Sequence, residues 1–409
     1  MEDCPMDNDK EKESMKILLL GEYSNVHNTL AKGLRELGHE VTVASDGDGW
    51  KDYPRDIDLH RDLESRTGRI SFLWRLFKAL PRMRGYDVVQ LINPIFIELK
   101  AQRIMPFYRY LRRHNRKIVM GAFGMDYYWA SVNTDIRPLR YSDFNFGDEP
   151  RTDIEAQRFR DEWIGTPKQT LNEKIAIDCD GIPAGLYEYW ATYNEVHTLC
   201  PDGRQIRDKM RFIPFPIVMP EIIHTLFYGG PLRLFAGISR GRSTYKGTDI
   251  MLKAARKLQE RYPDKLELRV AEGVPFEQYC RMLDGSDAIL DQLYSYTPSM
   301  NSLLAMSKGI IVVGGGEPEN YDILRHECRS VARNLRHECR SVARNIGETE
   351  LRPIINVQPD EQSVYDELEQ LILHPERISE LKRQSVEYVR RHHDYVRVAL
   401  RYEEFYSGL

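Results

Sequence analysis

Short apolar runs alternate with amphipathic segments along most of the chain. Continuous apolar runs that end at a glycine or a polar residue predict buried parallel strands, and apolar residues three or four positions apart predict helices between them. The predicted strands are residues 16–20, 41–44, 87–92, 118–123, 232–236, 266–271, 288–290, 310–313 and 353–357. The predicted helices are residues 25–37, 69–84, 185–193, 275–283, 299–308, 361–374, 378–392 and 395–406, with another beginning near Thr248. This alternation predicts an α/β fold built on parallel sheets.

The strand–helix units fall into two groups, which predict two domains. Residues 15–212 form the first group and residues 231–392 the second. A linker is predicted over 213–230, because the prolines near its start stiffen a segment that cannot stay helical. Residues 1–14 are polar and acidic, resemble no signal peptide and are expected to be a disordered tail.

The segment 287–319 is the one around which the second domain is organised. Two predicted strands flank a helix, Gly309 stands where a helix C-cap needs a residue that accepts positive φ, and Gly314, Gly315 and Gly316 follow the second strand. A glycine-rich loop at the carboxyl edge of a parallel sheet lies where open α/β folds bind ligands. Without Cβ atoms, its backbone would let a nucleotide or sugar approach closely, although three glycines after a strand are also typical of a plain turn.

Residues 303–309 read LLAMSKG and residues 311–319 read IVVGGGEPE. This pair of motifs resembles the donor-site signature of group 1 (family 4) glycosyltransferases of the GT-B fold. The resemblance implies two Rossmann-like, doubly wound parallel-sheet domains that face a cleft, with a terminal helix, about 393–409, packed back on the first domain. It also implies transfer of a hexose-type sugar from a nucleotide-sugar to a glycan or lipid-linked acceptor, with retained configuration and without an obligatory metal or cofactor.

The resemblance also implies a set of donor contacts and one departure from the family. The donor-binding candidates are Gly21, Arg242, Glu272, Tyr296, Ser299, Asn301, Gly315, Gly316 and Glu317. The family usually carries two glutamates that touch the donor, and here Tyr296 and Leu304 stand in their places. Neither residue accepts hydrogen bonds as a carboxylate does. Other groups therefore contact the donor, or catalysis is altered or lost.

Lys246-Gly247 precedes the helix that begins near Thr248, as in the resembling family, and Arg240 and Arg242 both lie near the place of the family's arginine. Breaking a sugar–phosphate bond leaves negative charge on the departing nucleoside diphosphate, which fixed Lys and Arg donors and a helix N-terminus would stabilise. Lys246 and Arg240 are therefore catalytic candidates.

Asp126 is the third catalytic candidate. It follows the predicted strand 118–123 and a glycine, so it either faces the cleft or caps the helix that begins at Tyr127. Gly21 follows the first predicted strand. In the resembling family the loop at this place faces the acceptor and the donor phosphates, although the sequence here is equally consistent with a plain tight turn. Ser24 is expected to cap the helix 25–37. Residues 131–172 show little periodicity and are expected to be a long acceptor-side loop.

The charge and the cysteines of the sequence indicate which binding partners and which cellular compartment to expect. The net charge of −4 gives no indication of nucleic-acid binding, and six cysteines without a paired framework are typical of reduced thiols in a cytoplasmic protein. The segment 69–84 is amphipathic and lacks acidic residues, and a second basic run with aromatic residues spans 100–117. The first is either a helix packed on the sheet or an interfacial helix on anionic lipid, which would make the protein peripheral at the inner membrane face.

Residues 324–334 are repeated without change as 335–345. The His and Cys residues of the two copies have spacing that is poor for one helix face, so no metal site is expected there.

Two further functions stay open. A nucleotide-sugar epimerase would need acid/base residues that the sequence does not reveal, and a catalytically degenerate GT-B binding or scaffolding protein is favoured by Tyr296 and Leu304.

Overall fold

The computed structural model describes residues 14–61, 68–221, 223, 229–238, 246–325 and 351–409. Its strands are β1 (Lys16–Leu20), β2 (Glu40–Ser45), β3 (Ile57–Asp58), β4 (Val88–Leu91), β5 (Lys117–Met120), β6 (Asn145–Phe146), β7 (Glu149–Pro150), β8 (Ile182–Ala184), β9 (Met210–Phe212), β10 (Leu232–Ile238), β11 (Leu266–Glu272), β12 (Ala288–Leu290) and β13 (Ile311–Val313). Its α-helices are α1 (Val26–Glu36), α2 (Gly68–Ala79), α3 (Ala101–His114), α4 (Tyr127–Asp135), α5 (Ile154–Trp163), α6 (Pro167–Asp178), α7 (Tyr187–Asn194), α8 (Gly203–Asp208), α9 (Thr248–Arg261), α10 (Phe276–Leu283), α11 (Met300–Ser307), α12 (Glu361–Leu373), α13 (Ile378–His392) and α14 (Tyr395–Ser407).

The first domain is built on a parallel sheet with the strand order β3-β2-β1-β4-β5. Parallel bridges from Val119 to Gly181 and from Ala122 to Ala184 connect β5 to β8, which pairs in parallel with β9. The last four residues of β1 have no solvent exposure, as expected for a central strand covered on both faces. The predicted doubly wound parallel architecture is confirmed for this half of the chain.

The second domain has its own parallel sheet, in the order β11-β10-β12-β13. Ile355 extends it by a single bridge to Val313, so the strand predicted over 353–357 is reduced to one paired residue. The core of this sheet is apolar on both sides, and α9 and α12 contribute Met251, Leu258 and Leu368 to it.

The chain passes between the domains twice, at the linker near Ile217 and again near His393, and these two places are adjacent. Ile217 of the linker donates its N–H to the carbonyl of His393 at 2.6 Å and accepts from Tyr395 N at 3.1 Å. The helix α14 that follows packs on α1, where a Cβ on Gly33 would lie 2.4 Å from the carbonyl oxygen of Tyr395. Only glycine fits so close an approach, so Gly33 determines how α14 lies on the first domain.

The prediction of a long loop over 131–172 is wrong. This segment contains the end of α4, the antiparallel pair β6–β7, α5 and the first half of α6. In α4 the residues from Tyr128 to Asn133 are all buried, so apolar and polar positions do not alternate with a helical period. Asp153 and Thr166 accept hydrogen bonds at the starts of α5 and α6, which are signals that the polar composition obscured.

The amphipathic helix predicted over 69–84 is confirmed as α2 followed by a 3-10 turn at Leu80–Met83. Phe72, Leu76 and Met83 are buried, so the helix is attached to the first domain. Among the described residues, no helix is both long enough and apolar enough to cross a bilayer. The predicted tail 1–14, apart from its last residue, and the second copy of the repeat, 335–345, lie outside the described residues.

Candidate functional site

A cleft of about 1490 Å³ separates the two domains. The residues that line it follow β1 and β2 on the first domain and β10, β11 and β12 on the second, so it lies at the carboxyl edges of both sheets. The first-domain wall contains Glu22, Tyr23, Ser24, Asn25, Asp46, Asp48, Lys51 and Tyr53. The second-domain wall contains Lys246, Gly273, Tyr279, Gln292, Ser299, Asn301, Leu304 and Lys308.

Lys246 lies on the second-domain wall directly before α9. Gly247 is the N-cap residue of α9 and has φ +70°, and a Cβ there would lie 2.6 Å from Leu293. The glycine therefore brings the start of α9 close to the segment that follows β12. A lysine beside the positive end of a 14-residue helix makes this part of the wall suited to an anion.

Two of the predicted donor-binding residues, Ser299 and Asn301, lie in the wall at the start of α11. Ser299 donates to both carboxylate oxygens of Asp291, at 3.2 and 3.3 Å. Burial raises the pKa of Asp291, while the Ser302 hydroxyl and the charge of Lys246 act in the opposite direction. Asn301 donates to the hydroxyl of Tyr279 at 2.6 Å. These contacts fix the polar groups of the wall before any ligand arrives.

Leu304 also lines the cleft, one helical turn after Asn301. Lys308 lies one further turn along the same face and donates to Asp284 at 2.5 Å. Leu304, which stands where the resembling family has a glutamate, is thus half-buried in the cleft lining, between the Asn301 amide and the Lys308 ammonium group.

On the opposite wall, Glu22 lies at the start of α1. One of its carboxylate oxygens accepts from His27 N at 3.2 Å and the other from Asn28 N at 2.8 Å. The prediction that Ser24 caps this helix is wrong, because Ser24 and Asn25 adopt left-handed φ values of 51° and 71° and neither side chain caps the first turn. Burial raises the pKa of Glu22 to about 8, against the hydrogen bonds from Asn28 and His27.

Strained backbone is concentrated in this wall. Of the described non-glycine residues with positive φ, Ser24, Asn25, Asp48 and Asp52 belong to the two loops after β1 and β2. Asp48 joins these loops, since it accepts from Ser24 N at 2.8 Å and from Lys51 Nζ at 2.5 Å. Such conformations persist where surrounding contacts over-determine them, which is common at binding sites.

Asp126 is fully buried and does not line the cleft. It is the N-cap of α4, where it accepts from Trp129 N at 2.8 Å and from the hydroxyl of Tyr193 at 2.5 Å. Burial raises its pKa to about 6. The geometry matches the capping alternative, and a catalytic role for Asp126 stays a prediction.

Gly21 has φ +88°, and a Cβ there would lie 2.4 Å from Ile92, as in a tight turn.

Tyr296 and Glu317, both predicted to bind the donor, contact the first domain. The Tyr296 hydroxyl accepts from Arg140 N at 2.6 Å, and its ring lies 4.8 Å from that of Tyr141. Glu317 accepts from the Tyr141 hydroxyl at 2.5 Å and from the Arg140 guanidinium at 2.8 Å. These two residues form an interdomain contact outside the lining of the cleft.

The glycine turn after β13, Gly314 to Gly316, packs closely against the segments that form the second-domain wall of the cleft. A Cβ on Gly314 would lie 2.6 Å from Gln292 O, one on Gly315 3.0 Å from Thr297 O, and one on Gly316 2.8 Å from Ile354. Glu272 lines a separate groove of about 380 Å³ beside α9, although its neighbours Ala271 and Gly273 line the cleft. Arg240 and Arg242 lie outside the described residues.

The sequence reasoning missed Glu22, Asp48 and Tyr279 in the cleft, and Glu188 at the domain boundary. Glu22 could have been found, because it is the first polar side chain after the central apolar strand β1. Glu188 carries no local signal, since its hydrogen-bond partners lie more than a hundred residues away in the sequence.

No model of a known protein family matches the sequence, and no curated protein matches it. Solved structures are similar over almost the whole chain. Anabaena HepE, in complex with UDP and glucose, is 12% identical, with a TM-score of 0.53, and the match covers 97% of this chain and 100% of that one. Sucrose-phosphate synthase from Thermosynechococcus elongatus is 12% identical, with a TM-score of 0.57 and coverage of 96% and 98%.

The catalytic domain of starch synthase IV from Arabidopsis thaliana, bound to ADP and acarbose, is also 12% identical, with a TM-score of 0.53 and coverage of 97% and 99%. Identities this low show the fold alone. With two parallel-sheet domains, a cleft at their carboxyl edges and a terminal helix that returns to the first domain, the chain has the GT-B fold.

Proposed function

We propose that this protein is a glycosyltransferase that moves a sugar, of hexose type, from a nucleotide-sugar donor to an acceptor held by the first domain. The observation that carries the proposal is Lys246 at the start of α9, in the wall of the interdomain cleft. Similar folds were solved with UDP-glucose, in HepE, and with ADP, in starch synthase IV. A nucleoside diphosphate is the class of ligand that a lysine and a helix N-terminus would hold.

In the proposed reaction the bond between the sugar and the diphosphate breaks, and negative charge develops on the departing phosphate. Lys246 and the N-terminus of α9 stabilise that charge, and Arg240 or Arg242 is assigned a second cationic contact. Ser299 and Asn301 lie beside this position and orient the donor. Leu304 offers an apolar contact in place of a carboxylate.

We propose retention of configuration and metal independence from the resemblance in the donor motifs. Among residues 14–61, 68–221, 223, 229–238, 246–325 and 351–409, no three His, Cys, Asp or Glu side chains are grouped as a metal site requires. Fixed cations of the protein would then neutralise the leaving group. The anomeric proton coupling of the product, measured by NMR, tests retention, and activity after exhaustive treatment with a chelator tests metal independence.

The acceptor is proposed to be a glycan, free or lipid-linked, bound at the first-domain wall. Tyr23 and Tyr53 offer aromatic faces there, and Asp46 and Asp48 offer carboxylate acceptors for sugar hydroxyl groups. These side chains lie across the cleft from Lys246, so donor and acceptor would meet between the domains.

We further propose that α2 docks on an anionic membrane, which favours a lipid-linked acceptor. Ile70, Leu73, Trp74 and Phe77 of α2 are 71%, 41%, 57% and 73% exposed, although they are large and apolar. The Lys78 Nζ lies 3.6 Å from the centre of the Trp74 ring, and Arg82 and Arg84, which follow the helix, are exposed. A contiguous apolar patch with flanking cations is typical of an interfacial helix. In the second basic run, 100–117, Arg103, Arg109, Arg113 and Arg116 are exposed and could add to this surface.

The proposal is tested by titrating the protein with several nucleotide-sugars and then measuring their hydrolysis or transfer. Tight binding followed by turnover is the expected result. Binding without turnover would favour the alternative, a catalytically degenerate GT-B protein, which the presence of Leu304 in the cleft lining supports. Interconversion of the sugar on the donor would instead identify an epimerase.

A further inference from the structure

Glu188, at the start of α7 on the first domain, reaches across the domain boundary. Its Oε1 accepts from Tyr296 N at 2.6 Å, from Thr297 N at 3.0 Å and from the Ser295 hydroxyl at 3.0 Å. Its Oε2 accepts from the Thr297 hydroxyl at 2.5 Å. One carboxylate of the first domain therefore holds a loop of the second domain, residues 294–299, which we call the donor loop.

These contacts are made away from water. Glu188 is 7% exposed, and Tyr296 and Thr297 are 1% and 3% exposed. Burial raises the pKa of Glu188, and the hydrogen bonds from Thr297 and Tyr296 favour its charged form. A buried backbone N–H that loses its acceptor is costly, because no water replaces it. The donor loop therefore depends on Glu188 for its conformation.

The donor loop leads directly into the cleft. Two residues after Thr297, Ser299 donates to Asp291 and lines the cleft, and α11 with Asn301 and Leu304 follows. On its other side the loop rests on the glycine turn, where a Cβ on Gly315 would lie 3.0 Å from Thr297 O. The loop is held between the glycine turn of its own domain and a carboxylate of the other.

We propose that Glu188 is a positioning residue for the donor side of the cleft, an inference that rests on the function proposed above. The donor site is complete only when the two domains adopt this arrangement, because the loop that places Ser299 donates its hydrogen bonds to a carboxylate of the first domain. Donor binding and domain closure are then coupled. The same carboxylate also fixes the position of the first-domain wall, where the acceptor is proposed to bind, relative to the donor.

A second interdomain contact supplies a matched control. Arg140 pairs with Glu317 and Glu319, and its guanidinium lies 5.0 Å from the centre of the Tyr296 ring, but the Arg140 side chain itself is 54% exposed. Arg140→Gln therefore removes charge pairs between the same two domains without removing an acceptor from Tyr296 N or Thr297 N. Its effects on the donor loop and on nucleotide affinity are expected to be smaller than those of Glu188→Gln, because the backbone N–H groups of Tyr296 and Thr297 keep their charged acceptor.

The test compares the wild type, Glu188→Gln and Arg140→Gln in the full chain. Gln keeps the size of Glu and one acceptor oxygen, but it removes the negative charge, so the hydrogen bonds from Tyr296 N and Thr297 N are no longer charge-assisted. In Glu188→Gln, amide hydrogen exchange of residues 294–302 should accelerate about tenfold, as expected when buried charge-assisted hydrogen bonds become neutral ones. The dissociation constants of UDP and UDP-glucose should rise by a similar factor, and the KM of the donor should change more than kcat.

Thr297→Val removes a single hydroxyl donor at nearly constant volume, and it serves if Glu188→Gln does not fold. It should produce the same changes at smaller amplitude. Unchanged exchange in residues 294–302, or exchange that accelerates equally in Arg140→Gln, would overturn the assignment of Glu188. If the wild type binds no nucleotide, the proposed function fails instead, and the exchange of the donor loop alone decides the role of Glu188.

Discussion

Glu22 accepts a hydrogen bond from the backbone N–H of Asn28 at 2.8 Å, so the first turn of α1 is occupied by a carboxylate of the same chain. This contact places an acidic group on one wall of the cleft, opposite Lys246 on the other. A helix N-terminus whose N–H groups already donate to a carboxyl group of the same chain is less available to a phosphate. The arrangement therefore favours the start of α9, on the second domain, as the place of the proposed donor diphosphate.

The burial of Glu22 predicts a pH-dependent stability. Because its pKa is raised from 4.5 to about 8, the protonated form is favoured in the folded state. This contribution to stability is fully present below pH 4.5 and is lost as the pH rises toward 8. Glu22→Gln does not titrate, so its free energy of unfolding relative to the wild type should improve by on the order of 2–4 kcal/mol between pH 4.5 and pH 8.5. Urea denaturation at both pH values measures this, and a pH-independent difference would contradict it.

The position of Asp126 predicts that its charge is dispensable for turnover. Its oxygens accept from Trp129 N and Tyr193, away from the cleft. Asp126→Asn should leave kcat within about threefold of the wild type, because Asn caps helices about as well as Asp. Steady-state kinetics at saturating donor, with the melting temperature as a check on folding, makes the measurement. A loss of turnover at unchanged nucleotide affinity would reassign Asp126 to acceptor chemistry.

The exposed face of α2 predicts binding to anionic vesicles. Replacing Trp74 and Phe77 by Ala should reduce flotation with anionic vesicles without lowering the melting temperature, because both side chains are mostly exposed. Replacing Arg75, Lys78 and Arg82 by Glu should reduce it further and remove its dependence on salt. Ile154→Ala is the matched control, since Ile154 is 85% exposed on α5, another helix. Equal recovery on neutral and anionic vesicles would exclude this docking mode.

The sequence predicted those parts of the fold that depend on local pattern. The strand 16–20 and the helix–strand pair around Gly309 were predicted closely, because continuous apolar runs and a C-terminal glycine are local signals. The prediction of a loop over 131–172 was wrong. The first helix in it, α4, is buried on all sides and lacks a polar face, so its sequence shows no helical periodicity. Within the cleft, Lys246, Ser299 and Asn301 were found through the motif resemblance.

The remainder of the site depends on contacts between distant parts of the chain. Tyr296 was expected at the donor, yet its hydroxyl is bonded to Arg140 of the first domain. Glu188 was not singled out, since only folding brings α7 against the donor loop. Such relationships are set by tertiary packing, which periodicity and motif spacing do not encode.

Nucleoside-diphosphate binding by Lys246→Ala tests the central claim most directly. Isothermal titration should first identify which of UDP, ADP, GDP and dTDP binds the wild type most tightly. A charge-assisted hydrogen bond contributes roughly 1.5–3 kcal/mol, so the variant should bind that nucleotide about ten- to a hundred-fold more weakly. Lys253→Ala, on the same helix but paired with Glu361 outside the cleft, should bind it as the wild type does. Unchanged affinity in Lys246→Ala would contradict the assignment of the donor site.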